Sequence, residues 1–86
     1  MREKRVNSIC EIDLRGLRLP LIAVHERPDD FPDKCVARIF NGGNPTNMVI
    51  VKNRLSDILE DIRTGTDMIF LLRMPEDAPS LVGTWI

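Results

Sequence analysis

The sequence predicts a small α+β domain, with a mainly antiparallel sheet and one helix in the order β-β-β-α-β-β. Three observations carry that expectation. Short apolar runs rich in β-branched residues recur along the chain, each bounded by Pro, Gly, Asn or Asp. One stretch alone has clear helical spacing. One phrase occurs twice between apolar runs, RPDDFP at 27–32 and MPEDAP at 74–79.

The first eighteen residues leave two readings open. ICEIDLRGL (9–17) places Cys10, Ile12 and Leu14 on one face of an extended strand, while Val6, Ile9, Cys10, Asp13, Leu14 and Leu17 loosely fit a helix. Gly16 weakens either. A strand or extended arm is expected over 1–18, ahead of a single α+β domain over 19–86.

Strands are expected at LPLIAVHE (19–26), KCVARIF (34–40), NMVIVK (47–52), MIFLLR (68–73) and SLVGTWI (80–86). Between the second and third, FNGGNPTN is loop chemistry, and Asn41-Gly42 can adopt positive φ. The helix is expected at about 54–64, within NRLSDILEDIRTG. Leu55, Ile58, Leu59 and Ile62 fall at i, i+3, i+4 and i+7, forming one apolar stripe. Asn53 is the expected cap, and Asp57, Glu60 and Asp61 the wet face. Arg63 favours the negative helix end and Gly65 offers a left-handed stop.

Size and charge narrow the function classes. Eighty-six residues make one domain, and a chain this short buries only about 60% of its unfolded surface. With 43% hydrophobic and 29% charged residues the composition is that of a soluble globular domain. A net charge of −1 supplies no field steering it to nucleic acid or a membrane. Five of the twelve bases (Arg2, Lys4, Arg5, Arg15, Arg18) lie in the first eighteen positions among Glu3, Glu11 and Asp13, a pattern read as a solvated end.

No apolar run approaches the ~18 residues of a membrane span, and the charged N-terminus lacks a signal-peptide core. A cytoplasmic location is the default expectation, where Cys10 and Cys35 stay reduced. Two cysteines and one histidine match no metal-ligand spacing, so neither metal nor cofactor is expected.

MVIV, MIFLL and LIAV do not alternate apolar with polar, so both faces of their sheet need cover. One ten-residue helix covers one face. The N-terminal segment or a second copy of the chain must cover the other, and a homodimer is the expectation that follows.

The repeated phrase admits two readings. As punctuation, Pro28 and Pro75 end their strands, Pro32 and Pro79 delay the next, and Asp30 and Asp77 bond backbone amides two residues on. As a surface, Asp29, Asp30, Asp33, Glu76 and Asp77 converge on one rim that docks a basic partner or holds a cation. Neither phrase has the alternating acids and bend glycine of a calcium loop. Turn chemistry is the better explanation, with partner binding as the residual role.

His25 is the one histidine, and Cys35 lies ten positions on, around the first corner. A Cys-His pair is thinkable there, yet a strand cysteine is more often a small buried apolar group. NGGNPTN lacks the Lys and following helix of a phosphate loop. Phe31, Phe40, Phe70 and Trp85 are too scattered for base stacking.

The run IAVHERPDDFPDKCVARIF, with RMPEDAPSLVGTWI at the end, resembles a group of short uncharacterised bacterial and phage-associated proteins. The likeness lies in a Pro-x-x-aromatic-Pro-x-Lys corner (Pro28, Phe31, Pro32, Lys34), a Val-Ala-Arg strand and a closing Trp-Ile (Trp85, Ile86), covering about residues 20–86. That group carries no established activity, so the resemblance implies architecture and leaves function to the residues. The favoured reading is a non-enzymatic protein-interaction module that self-associates through an apolar sheet face or strand edge. The alternative is a small-ligand or catalytic domain built on His25, Cys35 and the acidic corners.

Overall fold

Residues 3–86, as described by a computed structural model, form one six-stranded mixed sheet backed by a single helix. The strands are β1 (Lys4–Val6), β2 (Pro20–Glu26), β3 (Cys35–Asn41), β4 (Asn44–Lys52), β5 (Phe70–Leu72) and β6 (Leu81–Trp85), with α1 at Leu55–Gly65. Across the sheet the order is β1-β4-β3-β2-β6-β5. Every neighbouring pair is antiparallel except β1 and β4, which run parallel. The expected class holds. The chain has one strand more than expected, because Lys4–Val6 docks beside β4.

The rest of the N-terminal segment is neither strand nor α-helix. Two single 3-10 turns, Ile9–Glu11 and Leu14–Gly16, are capped by the side chains of Ser8 and Asp13. These turns let Ile9 and Ile12 reach the same core as Ile58 and Ile62 of α1. Ile22, Val24, Cys35, Ala37, Ile39 and Ile50 supply the sheet side of that core. The two 3-10 turns of the N-terminal segment therefore share the helix layer, and of that segment only residues near β1, such as Arg5 and Glu3, reach the second face.

The second face is covered in part by the first proline corner. Val36 and Val49 are fully buried yet stand outside the helix-side core. Register places Arg38 opposite Val49 on β3–β4, and Arg5 beside Val49 on β1–β4. Asp30 of the corner pairs with Arg38, and the Arg5 guanidinium lies 5.0 Å over the Phe31 ring. The corner thus folds back across β3 and β4.

Local chemistry adds detail to the expected elements and departs from expectation at the turn after β3 and at both ends of the helix. The turn after β3 is only Gly42-Gly43, with Gly42 at φ 63, so Asn44–Lys52 is strand and the expected loop shrinks to two residues. A bulge interrupts β3–β4 between Arg38 and Phe40, where the Thr46 hydroxyl donates to the Ile39 carbonyl at 2.7 Å. Helix α1 starts without a side-chain cap, because its cap position falls on Arg54; Asn53, one residue earlier, accepts through Oδ1 from Lys34 Nζ. Gly65 closes the helix without positive φ; its value is space, since a Cβ there would lie 2.5 Å from Ile9 Cγ2.

Candidate functional site

The two proline corners lie side by side at one end of the sheet. Strand β2 has β3 on one flank and β6 on the other, and its last residues meet the start of β6. Glu26 N–H donates to the Ser80 carbonyl at 2.8 Å, and His25 Nδ1 lies 2.9 Å from Ser80 Oγ. The corners close alike in their second halves, where Lys34 N–H donates to Phe31 O and Leu81 N–H to Ala78 O. Their first turns sit one position apart, Phe31 N–H to Pro28 O against Asp77 N–H to Met74 O.

The five rim carboxylates have different fates. Asp30 forms an ion pair with Arg38, which also holds Glu3 at 2.7 Å. The Asp77 carboxylate accepts the Met74 amide at 2.7 Å, locking the second corner backwards, not two residues on. Arg73 Nη2 donates to the carbonyls of Asp77 and Ala78. Asp29, Asp33 and Glu76 are exposed. Arg38 paired with Asp30, and Arg73 on the carbonyls of Asp77 and Ala78, place bases at the rim as well as acids. Among the described residues, no three His, Cys, Asp or Glu side chains group as metal ligands.

His25 and Cys35 are not brought together. In β2–β3 the register pairs His25 with Val36 and Glu26 with Cys35, so the two side chains leave opposite faces. Cys35 is buried in the helix-side core, and burial together with nearby Glu26 pushes its thiol pKa up, against a smaller opposing effect of Arg27. That environment disfavours a thiolate nucleophile. Burial and then the Arg38 charge hold the His25 pKa below its ordinary value, with Asp30 opposing.

An open groove of about 980 Å³ runs between the 3-10 turns and the end of α1, past Cys10, Ile12, Leu14, Met68 and Ile86. Its lining mixes these apolar groups with Glu11, Asp13, Arg15 and Asp67.

The most exposed apolar surface is the far edge of the sheet. β5 pairs with β6 on one side, and among the described residues no strand pairs with its other side. Helix α1 packs mainly over β3 and β4, and at β5 only Leu59 and Arg63 come to line an open cavity with Phe70. Four consecutive residues stay exposed, Ile69 at 66%, Phe70 at 45%, Leu71 at 46% and Leu72 at 76%, although all are apolar. The strand is nonetheless held firmly. Phe70 stacks on Trp85 with ring centroids 4.8 Å apart, and Gly83 leaves room for that ring, since a Cβ there would sit 2.1 Å from Phe70 Cε1.

The opposite edge, β1, carries Lys4 and Arg5, the charged side chains that discourage edge-to-edge pairing. The sheet therefore has one guarded edge and one unguarded edge.

Sequence reasoning marked the strand MIFLLR but not its edge position, which depends on topology. It also placed Asp61 on the wet face. Asp61 instead accepts from the Ser8 hydroxyl and the Ile9 amide, each at 2.7 Å. Its position three residues after Ile58, bordering the apolar stripe, was the available signal.

No helix among the described residues is long and apolar enough to cross a membrane. Comparison with known proteins finds no match to this chain among family models, curated proteins or solved structures. The comparisons thus do not bear on the resemblance drawn from the proline corners.

Proposed function

We propose that the chain is a small non-enzymatic interaction module that self-associates through the β5 edge as a homodimer. One observation carries this reading: four consecutive exposed apolar residues on an unguarded edge strand. A free edge offers a row of unpaired backbone groups, and strand addition is the contact such a row makes. Apolar side chains on both faces of the added strand then lose water together, each Å² contributing about 25 cal/mol. In this reading the cell interior is the working compartment, with Cys10 and Cys35 as free thiols.

Light scattering at micromolar concentration tests the proposal. A mass of two chains is expected, falling to one chain in Leu71→Lys with an unchanged far-UV spectrum. A one-chain mass for the unsubstituted protein would overturn it.

A further inference from the structure

We infer that two copies join antiparallel, β5 to β5, about a two-fold axis that passes between the two Leu71 residues, extending the sheet to twelve strands. This rests on the self-association reading and specifies its geometry.

The register follows from which backbone groups are free. Ile69 and Ile86 exchange both hydrogen bonds, N–H to O at 2.7 and 2.9 Å. In an antiparallel ladder such pairs alternate, so Leu71 also turns its backbone groups to β6. Phe70 and Leu72 therefore turn their N–H and C=O groups to the open edge. The next outward donors on either side are already engaged. Met68 N–H donates to Thr66 Oγ1 at 3.2 Å, and Met74 N–H donates to Asp77 Oδ2 at 2.7 Å. The open edge thus has a bonding window of two residues, closed at both ends.

Only one antiparallel two-fold register fills that window. An axis at Phe70 sets Leu72 opposite the engaged Met68 of the other copy. An axis at Leu72 sets Phe70 opposite the engaged Met74. An axis at Leu71 sets each Phe70 opposite a Leu72, and four backbone bonds form. The side chains agree with it. Phe70 faces Leu72 of the other copy twice on the helix side, an aromatic–aliphatic cross-strand pair, and Leu71 meets its own counterpart on the second face.

The guarded β1 edge gives this contact a stopping point. A sheet with two sticky edges adds copies indefinitely, whereas one with a single sticky edge closes after the second copy. Two chains complete the assembly.

The test is disulfide trapping in the full chain, with Cys10→Ser removing the exposed native thiol. Opposed residues at a non-hydrogen-bonded position have Cα atoms about 4.5 Å apart, within disulfide reach. Leu71→Cys is expected to convert most of the protein to a covalent dimer in a glutathione buffer. Ile69→Cys is expected to stay monomeric on denaturing gels, because the register separates the two copies of that position by about 14 Å. Hydrogen exchange on the unsubstituted protein is an independent readout: Phe70 and Leu72 amides should slow as concentration rises. A two-chain mass with trapping at position 69, or without trapping at 71 and without slowed exchange, overturns the register and leaves self-association standing. A one-chain mass overturns both.

Discussion

The Asp61 carboxylate accepts the backbone amide of Ile9 at 2.7 Å, and its second oxygen takes the Ser8 hydroxyl at the same distance. One helix side chain thereby anchors the segment that delivers Ile9 and Ile12 to the core. Hydrogen bonds to a charged group contribute about 1.5–3 kcal/mol each, less where partly wet. Asp61→Ala is expected to lower unfolding stability by about 2–3 kcal/mol. Urea denaturation measures it, and a loss under about 0.5 kcal/mol would show the anchor to be dispensable.

His25 gives stability a pH dependence of known sign. Its folded pKa lies below the unfolded value of 6.5, through burial and then Arg38. The unfolded chain therefore binds the proton more readily, and stability rises with pH through this window. Chemical denaturation midpoints are expected to fall as pH drops from about 7 towards 5 and to level off once the folded imidazole is charged. In His25→Gln that part of the slope should vanish.

Gly83 is a packing position. A methyl group there meets the Phe70 ring, and overpacking of this kind costs about 1–3 kcal/mol. Gly83→Ala is expected to destabilise the fold and to loosen β5. In a Phe70→Leu background the same substitution should cost less, and a double-mutant cycle reads the difference. Additive effects would mean that the ring and the glycine do not compete for space.

Arg38 joins Glu3 near the start of the chain to Asp30 in the first corner. Its side chain is 30% exposed, so each pair is worth no more than about 1 kcal/mol. Arg38→Met is expected to cost about 1 kcal/mol at low salt, and less at high salt as screening weakens the unsubstituted protein's pairs. Thermal unfolding at two ionic strengths distinguishes this from a packing effect, which salt leaves unchanged.

Much of the fold is legible in the sequence because its signals are local. The i, i+3, i+4, i+7 stripe from Leu55 to Ile62 places α1, and the prolines at 28 and 75 place the corners. What escaped notice depends on distant partners. Lys4–Val6 is too short and too charged to read as a strand, and only β4 makes it one. Asn53 is a good cap by type, but the helix starts one residue later, with Arg54 at the cap position. The exposure of MIFLLR is invisible in its residues, since an apolar run reads the same at the centre of a sheet as at its edge. The rim acids are visible in the sequence, whereas Arg38 becomes a neighbour of Asp30 only when the corner folds back.

The parallel union of β1 with β4 has a kinetic consequence. Lys4 must find Met48, far along the chain, whereas β3 and β4 meet across a two-residue turn. Loop closure of that length is the slow and entropically costly event, and its three-residue reward is small. The first strand in sequence is thus expected to be last to dock and first to leave. On this expectation the fold is a preformed sheet with a latch, and the latch opens without the rest coming apart.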